Sequence, residues 1–441
     1  MKSENTLFIN VIQLIMKDYF TMDDFDLRGK RILLRLDLNS PVNTDTGEIT
    51  DISRFLAHLD TLKKLGESKV VILAHQSRPG KKDFTTTKKH AEILSKLLRR
   101  PVTYIDGLFE SVVIEKIKQM KDGDIIFLEN TRFYSEDVVL ADEPISIQRK
   151  SHIVKKLAPL FDYFINDAFA AVHRPQTTLI GFTEDIPNLA GILMDKEITM
   201  LSKFIQDDSR PKMAVLAGAK VDDSLKVARN FLEKNIVDKI ITGGLVSNLF
   251  LLSKGIDIGN FNLEFLKKEL GKIEPLLNIC NEILQKYGDK VVLPVDLALN
   301  KDNKRLEISI NELPMEYPIM DIGLETIEKY KEILKDAKAI ILNGPMGVYE
   351  IDDFAIGTIE IFTAISDMDC FKVAGGGHTI SAIAKLNLNK KFTHVSVGGG
   401  ALINFLSGEP MPVIDALKLS KQKFMEVKNE NLQGNWNNEK W

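Results

Sequence analysis

The sequence predicts an α/β protein of two lobes, each a parallel sheet flanked by helices, with a cleft between the lobes. Short apolar runs rich in β-branched residues alternate with longer amphipathic segments along the chain. This alternation is typical of strands that are buried on both faces and connected by helices. The strand-like runs form two groups, and polar residues or glycines follow most of them. Because ligands of open parallel sheets bind outside the carboxyl ends of the strands, we expect a ligand-binding rim in each lobe.

The first group of elements lies in the N-terminal part of the chain. Its strands are short and apolar, and its helical segments repeat apolar residues at a spacing of three and four. The predicted strands are Ile32–Leu38, Val70–Ala74, Val102–Ile105, Ile125–Glu129 and Tyr163–Asn166, and the predicted helices include His90–Leu98, Val112–Met120 and Ile153–Leu160.

The second group repeats the same alternation. The predicted strands are Met213–Leu216, Lys239–Thr242, Lys290–Pro294, Ala339–Leu342, Phe371–Ala374 and Thr393–Val397, and the predicted helices include Ser224–Leu232 and Leu276–Lys286. Between the two groups, the segment Gly191–Asp208 is predicted to form a helix that links the lobes and acts as one hinge for closing the cleft.

A chain of 441 residues is too long for one ordinary core, which favours two or three domains. We predict an N-terminal extension at residues 1–22, a first lobe at 23–192, a second lobe at 193–405, and a C-terminal segment at 406–441 with a frayed polar tail. Asn10 and Gln13 interrupt the apolar residues of the extension, and no basic run precedes them, so we expect no secretory signal.

Composition excludes several classes of function. The net charge of −4 argues against nonspecific binding of nucleic acid, which needs a basic surface. Cys280 and Cys370 are far apart and in no metal-ligand spacing, so both are expected to be reduced. No apolar run approaches the roughly 20 residues of a membrane span. We therefore expect a cytoplasmic protein, with no nucleic-acid or membrane partner, that binds anions through local cationic clusters.

Cationic side chains lie at or just after the predicted strands of the first lobe. They are Arg54, Arg78, Arg132, Arg174, His75 and His173. Arginine binds carboxylate and phosphate in planar, bidentate geometry. Asp37 and Asn39, after the first strand, would suit a substrate hydroxyl group or orient an arginine. Each arginine alone is equally well explained as a surface ion pair, and each histidine as a structural hydrogen-bonding group, but their common position favours a binding site for a small phosphorylated acid.

Glycine-rich segments follow the strands of the second lobe. They are Gly218-Ala219-Lys220, Gly243-Gly244, Asn343–Gly347, Gly375–Thr379 and Gly398–Ala401. Glycine between a strand and a helix lets backbone N–H groups approach an anion at the helix N-terminus. The alternative is that the glycines only form tight turns, but two Gly-Gly-Gly runs together with Lys220 favour a polyphosphate site. The chain has no G-x-x-x-x-G-K-[ST] motif, which excludes a P-loop enzyme, and no G-x-G-x-x-G after a strand, which argues against a dehydrogenase.

With both clusters in view, the chain resembles the phosphoglycerate kinase family. The motifs occur in the family's order from about Leu27 to Leu417, which is almost the whole chain. The segments His75–Gly80, Asp83–Thr85 and Val221–Ser224 are similar to those of the archaeal branch. The resemblance implies a kinase of glycolysis and gluconeogenesis that reversibly transfers the γ-phosphoryl group of ATP to the carboxylate of 3-phosphoglycerate, using ATP or ADP with Mg²⁺.

The resemblance also implies roles for residues at matching positions. The first lobe would bind 3-phosphoglycerate, the second would bind the nucleotide, and the C-terminal segment would return to the first lobe. The implied substrate-binding residues are Asp37, Asn39, Arg54, His75, Arg78, Arg132 and Arg174. The implied catalytic residues are Arg54, Lys220, Gly376 and Gly399, and the implied nucleotide-binding residues are Lys220, Gly323, Asn343, Glu350, Gly376, Gly377, His378 and Thr379.

The sequence departs from the family at a few positions. His378 stands where the usual Gly-Gly-Asp-Thr arrangement has an aspartate that is a metal ligand in many members. We therefore assign no metal ligand and expect nucleotide oxygens and water to hold Mg²⁺. Ser224 replaces a second lysine, while Leu342 and Ala217 replace the more usual Trp and Gly as packing changes. We also expect a monomer.

Two other functions stay open at this point. A catalytically silent relative would act as a binding or regulatory protein, and its expected sign is the loss of Arg54 or Lys220, both of which are present. A nicotinamide-dependent dehydrogenase lacks its glycine motif here, and a test for NAD-dependent absorbance change would distinguish it.

Overall fold

The computed structural model describes residues 17–433, with side chains for residues 17–425. The described residues divide into two compact units. The first contains the chain up to Glu197 and again from Met411, and the second contains Ile198–Pro410. The boundaries predicted at 192/193 and 405/406 therefore lie five residues before those of the structure.

The first unit is built on a seven-stranded sheet. Its strands are β1 (Phe20–Thr21), β2 (Arg31–Arg35), β3 (Lys69–Leu73), β4 (Thr103–Ile105), β5 (Ile125–Leu128), β6 (Tyr163–Asn166) and β7 (Asn188–Ala190). All neighbours pair in parallel, in the order β1-β7-β6-β2-β3-β5-β4. The order brings the carboxyl ends of β2, β3, β5 and β6 to one edge, as the alternating pattern predicted.

Helices cover both faces of this sheet. They are α1 (Ser53–Ala57), α2 (Leu59–Lys64), α3 (Lys88–Leu98), α4 (Ser111–Lys118), α5 (Ser135–Val139), α6 (Ile145–Gln148), α7 (His152–Leu157), α8 (Thr177–Ile180) and α9 (Ile192–Gln206). Successive residues of β2 enter different cores, because strand side chains alternate between faces. Ile32 and Leu34 join one apolar cluster, and Leu33 joins the other.

The second unit contains a six-stranded parallel sheet and a smaller antiparallel one. Strands β8 (Lys212–Leu216), β9 (Lys239–Thr242), β10 (Val291–Val292), β14 (Ala339–Asn343), β15 (Phe371–Gly375) and β16 (His394–Val395) form the parallel sheet, in the order β10-β9-β8-β14-β15-β16. Strands β11 (Asp296–Lys301), β12 (Lys304–Ser309) and β13 (Ile319–Ile322) form the antiparallel sheet, with β11 in the centre.

The helices of the second unit follow its strands. They are α10 (Val221–Glu233), α11 (Gly244–Ser253), α12 (Asn260–Leu270), α13 (Glu274–Tyr287), α14 (Leu324–Leu334), α15 (Ile356–Asp367), α16 (Gly377–Lys385) and α17 (Gly400–Ser407). The core on one side of the sheet includes Val215, Leu342 and Ala374 from three adjacent strands, with Tyr330 and Phe362 from helices. The parallel order again gathers the glycine-rich strand ends at one edge.

The last helix, α18 (Pro412–Gln433), belongs to the first unit. It packs against β1, β7 and α8. The Ser420 hydroxyl accepts a hydrogen bond from the Asn188 amide at 2.9 Å, and Lys418 pairs with Asp18 at 2.8 Å. Across residues 17–433, no helix combines the length and the apolar character that a membrane crossing requires.

The structure confirms the α/β class and corrects several details. The antiparallel sheet of β11–β13 and the short strands β1 and β7 were not predicted, and the predicted strand Lys290–Pro294 is only Val291–Val292. The extension predicted at 1–22 is described from residue 17, where Phe20 and Thr21 form an edge strand and Met22 is buried. Residues 1–16 and the end of the tail, 434–441, lie outside the described part of the chain.

Candidate functional site

The carboxyl edge of the first sheet gathers the polar residues that the sequence singled out. Asp37 and Asn39 follow β2, His75 and Arg78 follow β3, Arg132 follows β5, His173 and Arg174 follow β6, and Arg54 lies in α1. Asp37, His75 and Arg132 interact electrostatically. Arg78 is exposed on the same loop as His75.

Asp37 and Arg54 form an ion pair. The Nη1 atom of Arg54 lies 2.6 Å from Oδ2 of Asp37, whose side chain is almost fully buried while that of Arg54 is one-third exposed. Burial alone would raise the pKa of Asp37, but the charge of Arg54 and the hydrogen bond from the Asn39 amide hold this pKa far below its ordinary value. Asp37 is therefore an ionised carboxylate, and it orients a guanidinium group that still reaches solvent.

Hydrogen bonds to the backbone of Ser77 connect Asn39 with Arg132. The Ser77 amide donates to Oδ1 of Asn39 at 2.8 Å, and Nη1 of Arg132 donates to the Ser77 carbonyl at 2.5 Å. Ser77 has φ +57°, in the left-handed region that side chains other than glycine rarely adopt. Its hydroxyl donates to Asp83 at 2.6 Å, which helps to hold this conformation. Three strand ends are thus fixed relative to one another by one strained residue.

Arg35 is a member of this cluster that the sequence analysis missed. It is the last residue of β2, its side chain is 1% exposed, and its Nη2 atom donates to Nδ1 of His75 at 3.1 Å. Burial lowers the pKa of His75 well below its ordinary value, and the charges of Arg35, Arg132 and Arg174 lower it further. His75 is therefore neutral, with its proton on Nε2. Arg35 could have been found in the sequence, because it is a charged residue among the apolar residues of a predicted strand.

The cluster carries more positive charge than its own carboxylates balance. Burial, together with the charges of Arg174 and Arg35, lowers the pKa of Arg132 to about 10. Arg174 also contacts His173, with its Nε atom 3.3 Å from Nε2 of the imidazole. Mutually repelling, partly desolvated guanidinium groups are stabilised by an anion that accepts hydrogen bonds from them. This edge therefore has the electrostatic character of an anion site.

A buried pair supports the cluster from below, and it too was missed. Nδ1 of His58 lies 2.8 Å from Oδ2 of Asp167, and Nε2 lies 3.2 Å from the carbonyl oxygen of Asp37. Asp167 also accepts a hydrogen bond from the Met194 amide at 3.1 Å, in the first turn of α9. His58 directly follows α1, the helix that contains Arg54. Asp167 thereby fixes His58 to the segment after β6 and to the first turn of α9. Because His58 and Asp167 are 109 residues apart, spacing could not reveal the pair.

The second unit contains a cavity of about 410 Å³ beside the glycine-rich strand ends. Its walls are mainly apolar, with Phe261, Leu297, Ile319, Met346 and Val348 among the lining residues. Glycines from two strand ends, Gly218 and Gly244, form part of the floor. A flat aromatic base fits such a slot, since ligand cavities are mostly apolar with a few polar groups for orientation. Of the predicted residues, Glu350 and His378 line the cavity.

Asn343, Gly376 and Thr379 form a compact group next to it. A Cβ atom on Gly376, which has φ +91°, would lie 2.3 Å from Oδ1 of Asn343. The hydroxyl of Thr379 accepts a hydrogen bond from the Gly344 amide at 2.7 Å. Gly344 itself has φ +96°, and a Cβ there would lie 1.9 Å from the Ala217 carbonyl oxygen. Gly376 is therefore required by the close approach of the Asn343 side chain, and Gly344 by that of the Ala217 backbone.

Two helices begin at this edge with open N-termini. Helix α16 starts at Gly377 and α17 at Gly400, and a Cβ on either glycine would meet nothing within 4 Å. Free N–H groups and the helix dipole make such ends suitable for phosphate. Gly399 directly precedes α17, and Lys220 is exposed at the start of α10. Lys220, Gly323, Asn343, Gly376, Gly377, Thr379 and Gly399 are not lining residues of the 410 Å³ cavity, although they lie at strand or helix ends of the same unit.

The cavity also has a polar feature that the sequence analysis missed, because the antiparallel sheet was not predicted. Asp321 in β13 lines the cavity, pairs with Arg305 at 2.9 Å, and accepts a hydrogen bond from the Gly357 amide at 2.7 Å. Burial raises the pKa of Asp321 to about 6, in spite of Arg305 and the amide. Asp321 thereby joins the antiparallel sheet to the N-terminus of α15.

No group of three or more His, Cys, Asp and Glu side chains that would hold a metal ion occurs within residues 17–433. A protein-built metal cage is therefore absent from the described part of the chain. Mg²⁺ often keeps much of its water and binds through substrate phosphates, without a cage of protein side chains.

Comparison with known proteins identifies the family. The family model described as phosphoglycerate kinase matches residues 22–409, which is most of the chain. The chain belongs to the phosphoglycerate kinase family. The resemblance inferred from the motifs is thereby confirmed. Members of this family are phosphotransferases that use ATP or ADP with Mg²⁺.

Several curated relatives are archaeal phosphoglycerate kinases, as the motifs predicted. The phosphoglycerate kinase of Thermoplasma acidophilum is 54% identical over 410 residues, covering 93% of this chain and 100% of that protein. The phosphoglycerate kinase of Methanosarcina mazei is 48% identical, covering 93% of this chain and 98% of that protein. The crystal structure of phosphoglycerate kinase from Pyrococcus horikoshii OT3 matches with a TM-score of 0.83 and 44% identity, over 92% of this chain and all of that one. A phosphoglycerate kinase structure from Coxiella burnetii matches with a TM-score of 0.77 and 30% identity, over 90% of this chain and 98% of that one.

Proposed function

We propose that this chain catalyses the reversible transfer of the γ-phosphoryl group of ATP to the carboxylate of 3-phosphoglycerate. The observation that carries the proposal is the cationic cluster at the edge of the first sheet. Arg132 has a lowered pKa next to Arg35 and Arg174, and Arg54 is oriented by Asp37. Family membership supports the same reaction.

The chemistry suits a site that lacks a general base. A carboxylate acceptor is already ionised at neutral pH, because its pKa lies several units lower. The difficulty is that one anion must approach another, so positioning and charge neutralisation carry most of the rate enhancement. A neutral His75 that is held by Arg35 fits a hydrogen-bonding role rather than a proton-transfer role.

In the first unit, Arg132, Arg174 and Arg78 bind the phosphate and carboxylate of the acid. Asp37, Asn39 and His75 hold its remaining polar groups and the arginines in place. Arg54 is the catalytic arginine, because its guanidinium group is oriented by Asp37 yet remains partly exposed. It neutralises the equatorial oxygens of the phosphoryl group during transfer.

In the second unit, the base occupies the apolar cavity and Glu350 binds the ribose. The phosphates are held by N–H groups at the start of α16, at Gly376 and Gly377, with Asn343, His378 and Thr379 around them. Gly323 borders the nucleotide site. Lys220 and the backbone at Gly399 contact the phosphoryl group that is transferred, and they add positive charge where negative charge develops.

Mg²⁺ would be held mainly by nucleotide oxygens and water, and it would supply further charge neutralisation. His378 stands near the phosphates and takes no metal-ligand role. Given this activity, we also propose that the protein works in the cytoplasm as a monomer.

A coupled assay tests the proposal directly. The purified chain is supplied with ATP, Mg²⁺ and 3-phosphoglycerate, and the acyl phosphate is reduced by a coupling enzyme that oxidises a nicotinamide cofactor. We expect ADP formation that depends on 3-phosphoglycerate. No such dependence would refute the proposal, whereas a cofactor absorbance change without the coupling enzyme would favour the dehydrogenase alternative.

A further inference from the structure

A second cavity, of about 770 Å³, lies in the second unit away from the nucleotide cavity. Three lysines line it, namely Lys239, Lys254 and Lys329, and we call it the lysine pocket. It shares no lining residue with the 410 Å³ cavity. Lys239 is the first residue of β9, Lys254 caps the C-terminus of α11, and residues 291–295 include the edge strand β10 and the residues after it, so the pocket lies along the β10 side of the sheet.

The charges in the lysine pocket are unbalanced. None of its lining residues is an aspartate or a glutamate, and none of the three lysines forms an ion pair among residues 17–425, whose side chains the structure describes. The chain as a whole has a net charge of −4, so a local group of three cations is not a consequence of composition.

The charges of Lys239 and Lys254 both act on the ammonium group of Lys329. Burial lowers the pKa of Lys329, and the charges of Lys254 and Lys239 lower it further. The Lys329 ammonium is also fixed, because it donates a hydrogen bond to the Leu293 carbonyl at 3.0 Å. Cations that repel each other in a concave, partly desolvated site are stabilised by a bound anion.

The rest of the wall is largely apolar. Leu251, Ile256, Leu284 and Val291 line it together with the lysines. A ligand that fits both parts would carry a doubly charged group for the ammonium groups and an apolar body for the aliphatic side chains.

We propose that the lysine pocket is a second anion-binding site, which takes an organic phosphate with an apolar body. The site is separate from the phosphoryl-transfer reaction proposed above, because none of its lining residues lines the nucleotide cavity or is assigned to that reaction. Among the described residues, the ammonium groups of Lys239 and Lys254 form no hydrogen bond with the protein. The ammonium group of Lys329 donates to the Leu293 carbonyl.

Calorimetry with 1-naphthyl phosphate tests the proposal. The full chain is first saturated with ADP, Mg²⁺ and 3-phosphoglycerate, which fill the sites proposed for the reaction without allowing turnover. We expect one further binding event, with 1-naphthol and inorganic phosphate each binding more weakly than 1-naphthyl phosphate. Equal affinity for 1-naphthol would show an apolar cavity without anion recognition and would overturn the proposal, as would the absence of any binding.

A double variant, Lys239→Gln with Lys254→Gln, should bind 1-naphthyl phosphate at least about tenfold more weakly, because two charged contacts are lost. The matched control is Lys304→Gln with Lys390→Gln, which removes the same charge from exposed positions outside the pocket. The control should bind like the unmodified chain. Equal weakening in both variants would show a general charge effect and would overturn the proposal. Kinase activity of the unmodified chain, measured separately, tests the proposed function alone.

Discussion

Arg54 forms an ion pair with a buried carboxylate and yet remains partly exposed to solvent. Asp37 is almost completely buried and ionised, and it fixes one side of the guanidinium group, while one-third of the Arg54 side chain reaches solvent. A cation that is held in place before the substrate arrives loses little entropy when it meets the transition state.

We expect Arg54→Ala to lower kcat by about 10²-fold or more, with a smaller change in KM, because the interaction is made mainly in the transition state. Steady-state kinetics with both substrates measure this. Arg28→Ala is the control, since Arg28 forms an exposed ion pair with Asp26 in the same unit. An effect on KM alone would contradict the catalytic role.

Arg132 should act on binding instead. Its Nη1 atom donates to the Ser77 carbonyl, and its charge is close to those of Arg35 and Arg174. Arg132→Ala removes charge-assisted hydrogen bonds, which predicts a KM for 3-phosphoglycerate about tenfold or more above that of the unmodified chain. The KM for ATP should not change. Unaltered affinity for the acid would remove Arg132 from the site.

Ser77 allows backbone strain and a side-chain hydrogen bond to be separated. Ser77→Ala keeps a side chain at φ +57° but loses the hydroxyl that donates to Asp83. Ser77→Gly loses the same bond but relieves the strain. We expect the glycine variant to be more stable than the alanine variant by about 1 kcal/mol in urea unfolding. Equal stabilities would mean that this conformation is not strained.

At the scale of single elements, the N-terminus of α16 has two adjacent glycines that should respond differently to substitution. Gly376→Ala places a Cβ 2.3 Å from Oδ1 of Asn343 at φ +91°, whereas Gly377→Ala meets nothing within 4 Å. We expect Gly376→Ala to raise the KM for ATP at least about tenfold and to lower the unfolding free energy by about 1–2 kcal/mol. The stability of Gly377→Ala should be unchanged, and equal stability losses in both would contradict this explanation.

The strands that form continuous apolar runs were predicted from the sequence. The short strands that depend on pairing with distant segments were not. Strands β2, β3, β8 and β14 are continuous apolar runs with buried residues on both faces, and their predicted positions differ from the observed ones by a few residues. Strands β1 and β7 contain two and three residues, which is too short for a periodic pattern to register. Their positions depend on pairing and on packing against α18.

The same distinction holds for the site. Arg54, Arg132 and Arg174 were found because arginine is conspicuous just after a strand. Arg35 was hidden inside a strand, and the His58–Asp167 pair joins residues that only the fold brings together. Asp321 was missed because the strand that carries it is half-exposed and irregular, with a register shift in its pairing with β11.

For the whole molecule, one buried group in each unit should contribute to stability with opposite pH dependence between about pH 4 and 6. His90 is buried in the first unit, and burial lowers its pKa from 6.5 to about 4. The unfolded chain then binds more protons, so this contribution to stability is complete above about pH 6.5 and is lost as the pH falls towards 4. The pKa of Asp321 in the second unit is raised from 3.8 to about 6, so its contribution is complete below pH 3.8 and is lost as the pH rises towards 6.

Urea unfolding at several pH values, followed separately for each unit by hydrogen exchange, measures these contributions. We expect His90→Asn to flatten the pH dependence of the first unit by up to about 1.4 kcal/mol per pH unit, and Asp321→Asn to act with the opposite sign on the second. If each variant altered both units equally, the groups would not titrate locally as proposed.

The first unit is discontinuous in sequence. Helix α18, which packs against β1 and β7, follows the second unit in the chain. On a ribosome, more than 200 residues separate Asn188 from its partner Ser420. The second unit can therefore complete its fold while the nascent first unit still exposes the apolar surface that α18 will cover. This stage of synthesis is when the protein would need a chaperone.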